Sequence, residues 1–218
     1  MSWAKWLLIL VVCVSVVGCS GSADKKALSV RNVQELEAML KAAEEESQPV
    51  LEKAQIGEPL DQLDRDALIR SGDKFKAMIN FDPSNWRLYL GSLKVDLALE
   101  DFESAKATVT SVEPHIPQQV TDQADTLTLA ELYGDIARLH ILLNDYTKAD
   151  LANKVARKLV PTNVDYMATE ASILIQEKQY AAASKVLAKG IELVPNHRRL
   201  LTLNKLLLLE QADAKEKP

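Results

Sequence analysis

What this chain lacks narrows its nature first. Glycine is scarce, seven in 218 residues, while Ala, Leu, Lys and Glu are plentiful, so the chain is expected to be helical. Its two cysteines, Cys13 and Cys19, both lie within the first twenty residues. The rest has no thiol for a disulfide, a metal site or covalent catalysis. It must fold by burial alone, which about 200 residues can support. A basic excess is also missing. The formal charge of −5 argues against a general nucleic-acid binder and against electrostatic adhesion to anionic lipid. There is no H-E-x-x-H, P-loop or G-x-S-x-G sequence, and His115, His140 and His197 share no metal-ligand spacing. Asp61, Asp64 and Asp66 are spaced loosely like cation ligands, but the glycine and closing glutamate of a calcium loop are missing. We therefore expect no catalytic residue, no metal and no cofactor, and read those aspartates as a solvated helix face.

One long apolar run exists, at the start. Lys5 precedes the unbroken stretch Trp6 to Val14, and after Ser15 the sequence reads Val16-Val17-Gly18-Cys19. A cationic start, an apolar stretch and a small residue before a cut describe an export signal. As a helix, roughly a dozen residues reach about 18 Å, short of a hydrocarbon core of about 30 Å. Val16-Val17-Gly18-Cys19 also resembles the lipobox of bacterial lipoproteins, in which the thiol takes a diacylglyceryl group and the chain is cut just before it. That resemblance implies a cleaved signal at 1–18, a diacylglyceryl cysteine at Cys19, further acylation such as palmitate, and stable anchoring by two or three chains. Ser20 follows where aspartate would imply inner-membrane retention, so the resemblance favours the periplasmic face of the outer membrane. Cleavage removes Lys5 and moves the formal charge to −6.

Prolines mark an internal repeat. Pro83 and Pro117 lie 34 residues apart, as do Pro161 and Pro195, and Pro117 to Pro161 is 44. Phe102, Tyr146 and Tyr180 stand fifteen residues before the last three of these prolines, and Ala105, Ala149 and Ala183 twelve before. This pattern resembles the tetratricopeptide repeat (TPR), a 34-residue helix–turn–helix unit. The resemblance implies an all-α, TPR-like solenoid of helical hairpins ending in a C-terminal capping helix. In it the aromatic opens each second helix, the alanine sits where two helices approach closely, and the proline ends the unit. Asp96 and His140 fall at an inner site that the family usually fills with an aromatic or aliphatic residue. Asn85, Asn163 and Asn196 follow the prolines as expected N-caps.

The expected layout follows. After the signal comes a flexible tether at 19–31, then N-terminal helices with a degenerate leading repeat at 32–85, where Phe75, Met78 and Phe81 mark its second helix. Asn32 with Glu35 suggests a capping box, and Pro49 and Gly57-Glu58-Pro59 suggest interruptions. Repeats occupy 86–119, 130–163 and 164–197, separated by an insertion at 120–129 within a longer loop. A capping helix spans 198–213 and a charged tail 214–218.

A solenoid of this kind offers a concave groove for a helix or an extended peptide. Its expected lining is Leu90, Lys94, Leu97, Gly134, Arg138, Ile141, Ala168, Ser172 and Ile175. The family's carboxylate clamp needs lysines and asparagines on these faces; Lys94 and Arg138 are present but the asparagines are not. Leu206, Leu207, Leu208 and Leu209 wrap around the last helix and offer a self-association surface. The expected function is a membrane-anchored adaptor or scaffold, facing the periplasm, that binds protein partners in cell-envelope assembly. A pilotin-like role in secretin or type IV pilus assembly is an alternative. A second alternative, of another class, is an enzyme or small-ligand binder using the insertion around His115. Replacing Cys19 with Ala is expected to move the protein from the membrane to the soluble fraction in cell fractionation. The helical circular-dichroism spectrum should survive the change.

Overall fold

The computed structural model describes residues 29–216, with side chains to Ala212. The signal, Cys19 and the tether to residue 28 lie outside the described residues. Those residues form nine α-helices: α1 (Val33–Gln55), α2 (Gln62–Phe81), α3 (Trp86–Ala98), α4 (Phe102–Val112), α5 (Gln123–Leu142), α6 (Tyr146–Leu159), α7 (Val164–Gln176), α8 (Tyr180–Leu193) and α9 (Arg198–Glu216). None is long and apolar enough to cross a membrane.

Each helix packs on the next, and the odd-numbered helices also touch each other in series, α1 on α3, α3 on α5, α5 on α7 and α7 on α9. The odd helices therefore form the inner layer and the even ones the outer layer of a hairpin solenoid capped by α9. Apolar clusters run along it, around Leu68 and Met78, around Leu93 and Leu132, and around Leu187 and Leu200, with a smaller one around Ala130, Ala156 and Tyr166. At the far end Arg198 donates to the carbonyl of Ile56 (2.7 Å), so the start of α9 meets the end of α1.

The repeat landmarks hold the hairpins together. Phe102, Tyr146 and Tyr180 are the first residues of α4, α6 and α8. Ala105, Ala149 and Ala183 are fully buried between paired helices, where a larger side chain would overpack the contact. Buried Asp96 accepts a hydrogen bond from Thr108 (2.9 Å), which ties α3 to α4. The inner-to-outer turns share one closure: Asp101, Asp145 and Gln179 donate backbone hydrogen bonds five residues back, to Asp96, His140 and Leu174. That Schellman closure places Glu100, Asn144 and Lys178 at φ near +60°, where glycine is usual.

Several expectations are corrected. Pro49 does not interrupt a helix; α1 runs through it. Both Pro49 and Glu45, the residue whose carbonyl loses its partner, are exposed, so water can satisfy that group. Asn32 caps α1 through Glu35 N, but the Glu35 carboxylate reaches back to Arg31 N rather than closing a box. The full box is at Asp61 and Asp64, which open α2. Of the expected caps, Asn163 bonds Asp165 N, Asn85 makes no cap bond, and His197 replaces Asn196, taking Leu200 N on its Nδ1.

The segment 120–129 is not a loop insertion. Pro114 stops α4 at 11 residues where α6 and α8 have 14, and a 3₁₀ turn follows at Glu113–His115. Asp122 then caps α5 through Ala124 N and Asp125 N, and Gln123–Leu129 is helical. Most of the extra chain thus lengthens α5, which has 20 residues where α3 and α7 have 13. Likewise α9 continues past residue 213 to Glu216. Because L-residues are disfavoured at positive φ, exposed Lys178 replaced by Gly should stabilise the fold by about 0.5–1 kcal/mol in urea denaturation.

Candidate functional site

The inner layer carries the candidate site. Between α1, α3 and α5 lies a cavity of about 610 Å³, lined by Leu40, Glu44, Gln48 and Leu51 of α1, Leu90, Gly91 and Lys94 of α3, and Thr128 and Glu131 of α5. Gly91 is required there by close approach. A Cβ at Gly91 would stand 2.2 Å from the Phe75 ring, and Phe75 is buried.

Two ion pairs cross the cavity wall from α3 to α5. Arg87 Nε donates to Asp125 Oδ1 (2.9 Å) and Lys94 Nζ to Glu131 Oε2 (3.1 Å). Both are partly solvated, so each contributes only about 0–1 kcal/mol; their effect is to fix register and to neutralise the cations. The acids come from the first turns of the lengthened α5. Its extra residues therefore complete this wall.

The nine residues expected to line one groove divide in two. Leu90 touches the cavity edge but is 7% exposed, and Leu97, Ala168 and Ile175 are buried among the inner helices. The reason is the inner-layer contact itself: neighbouring inner helices cover those positions. Lys94, Gly134, Ile141 and Ser172 are partly exposed and Arg138 is exposed. Gly134 lies against the Tyr166 ring, which a Cβ would approach to 2.7 Å. Leu90 and Lys94 are the expected residues that line the cavity. Arg87, Asp125, Glu131 and the whole α1 side of the cavity are not among the residues expected from the repeat pattern. The signal for α1 was its own apolar stripe, which includes Leu36 and Leu40; Asp125 fell in what read as a loop, while Glu131 fell in the expected repeat 130–163.

Asp135 supplies the unusual electrostatics. Its Oδ2 is buried with no hydrogen-bond partner. Burial pushes its carboxyl up to about 6, against the opposing pull of Lys94 and Arg138. On α7 and α9, Arg199 is drawn down by burial, and Asp165 opposes that shift. His197 Nδ1 accepts from Leu200 N, and its Nε2 faces Asp165 Oδ1 at 3.2 Å. Tyr166 is pushed up by burial and by the acids Glu131, Asp135 and Asp165.

His115 lies in the 3₁₀ turn and stacks on Tyr89, with centroids 6.2 Å apart. Its ring is a packing element. Asp61 and Asp64 serve the cap of α2, and Asp64 also holds Lys53 at 2.9 Å.

No family model matches this sequence, and no curated protein matches it. Among solved structures the chain is similar to the crystal structure of YrrB, a TPR protein with an unusual peptide-binding site. The TM-score is 0.51 at 17% identity, over 82% of this chain and 94% of that one. The fold is a TPR-like solenoid. The TPR-like inner face is the one that α1 and the lengthened α5 build into a cavity.

Asp135 gives the solenoid a pH signature. Its pKa is raised above the unfolded value of 3.8, so the folded state holds the proton more tightly, and stability falls as pH rises from about 4 through about 6. Asp135→Asn, which mimics the protonated acid, should match the unaltered protein near pH 4. By pH 8 it should exceed it by about 1–3 kcal/mol in urea denaturation.

Proposed function

We propose that this protein is a non-enzymatic scaffold that holds a protein or peptide partner on its inner face. In this reading the lipid on Cys19 displays that face in the cell envelope, on the periplasmic side of the outer membrane, for envelope assembly. The observation that carries it is the 610 Å³ cavity shared by α1, α3 and α5, in which apolar Leu40, Leu51 and Leu90 alternate with charge. Peptide sites reuse this combination of apolar pockets and a few fixed polar groups. YrrB, with its peptide-binding site on the same type of fold, supports the reading.

Charge refines the partner. Arg87 and Lys94 are already neutralised by Asp125 and Glu131, while Glu44 and Glu45 also line the cavity. A neutral or basic apolar segment fits this face better than a carboxylate tail. The pilotin-like alternative differs only in the partner bound. The small-ligand or enzyme reading around His115 has little support, because that ring is packed on Tyr89.

Self-association through Leu206–Leu209 is the weaker proposal. Leu207 is buried against α7 and α8, while Leu208 and Leu209 are 59% and 66% exposed. Lys205, however, occupies the repeat position that is buried Leu93, Ala137 and Ala171 in the earlier units. A helix docked on that side of α9 would have to desolvate a lysine.

A photo-crosslinking side chain placed at Glu44 or Lys94 in living cells tests the reading. Both positions should capture the same envelope protein, whereas exposed Ser184 on the outer layer should not. Capture that is equal at all three positions, or absent from both inner ones, would contradict it.

A further inference from the structure

The junction between α4 and α5 differs from the others. Elsewhere α2, α6 and α8 pack closely on the inner helix of the next unit, but α4 makes only slight contact with α5. Pro114 has ended α4 early, and the loop 113–121 swings across the gap. Under it lies a cavity of about 920 Å³, with a floor of Tyr133 and Ile136 from α5. Ile116 and Val120 of the loop form one wall, and Leu151 and Val155 of α6 the other. The corresponding space one unit earlier, between α2 and α4, is about 470 Å³.

The lining of α6 departs from its own repeat. Leu151 and Val155 stand where α4 has Ala107 and Ser111 and where α8 has Lys185 and Lys189. On the other outer helices this face is small or charged, as a solvated surface should be. Leu151 is 61% exposed. A lone exposed leucine needs no explanation, but an apolar pair one turn apart, facing an apolar loop in the one unit where the gap opens, marks a docking surface.

Charge says what would dock. Lys148 and Lys158 bracket the apolar pair on α6, ten residues and about 15 Å apart. Lys148 is held loosely by Asp145 at 3.5 Å, and no acid among the described residues pairs with Lys158. In the α5 wall, His140 Nδ1 is buried without a hydrogen-bond partner. We propose that this outer groove is a second docking site, separate from the inner face, for an amphipathic peptide with apolar side chains one turn apart and acidic residues at both ends. The groove is open along α6 rather than a closed tunnel, which suits a peptide helix better than an acyl chain.

Random dodecamers displayed on phage and panned on the detergent-solubilised full-length protein test this. Enriched peptides should carry spaced apolar residues flanked by Asp or Glu. They should bind Leu151→Lys/Val155→Lys at least tenfold more weakly and Lys94→Glu unchanged. Panning on Lys148→Glu/Lys158→Glu should shift the flanks to Lys and Arg. These side chains lie on the outer face, and circular dichroism checks that each variant remains folded. No enrichment, flanks without acids, or binding indifferent to both double variants would overturn the proposal. So would phosphatidylglycerol vesicles binding in a way that these variants abolish while peptides do not bind, since that outcome assigns the groove to lipid.

Discussion

A single helical hairpin of this chain cannot bury its own apolar face, and each pair relies on the next to cover it. The contact that allows this is the close approach of paired helices at Ala105, Ala149 and Ala183. With the hairpins this tight, the inner helices come near enough to share clusters, such as the one joining Trp86, Leu93, Leu132 and Ile136 across α3 and α5. The series ends where α9 covers α8 with Leu200 and Leu207 and turns Lys205 to solvent. Layering, groove and cap all follow from that dependence.

The α4–α5 junction is where the chain departs from it. Pro114 removes the end of α4, and the surplus residues go partly into a loop and mostly into extra turns of α5. That one change has consequences on both sides of the solenoid. Inside, the added turns bring Asp125 to Arg87, beside the Lys94–Glu131 pair, and help to wall the inner cavity. Outside, the shortened α4 and the loop 113–121 open the gap that Leu151 and Val155 line. An insertion that is small in sequence thus shapes both faces on which a partner can sit.

Much of this was legible from residue spacing. The 34-residue period located α3, α4, α6, α7 and α8, because proline, alanine and aromatic landmarks each answer to a local geometric need. What spacing could not reveal was register. Leu90, Leu97, Ala168 and Ile175 fall on the inner helices but are buried between them, and that depends on how closely the inner helices pack. The segment 120–129 read as a loop because no repeat landmark lies within it, although Asp122 is a competent cap. Pro49 read as a breaker, yet the carbonyl it leaves unpaired is at the surface and costs little.

The inner face of α1, α3 and α5 is the surface proposed to be occupied by a partner in the cell envelope. Hydrogen–deuterium exchange, compared between isolated envelopes and the purified full-length protein, addresses it most directly. Slower exchange in envelopes is expected for segments 40–51, 87–94 and 125–131, with segment 181–189 of α8 unchanged. Identical exchange of all four segments in the two settings would contradict it.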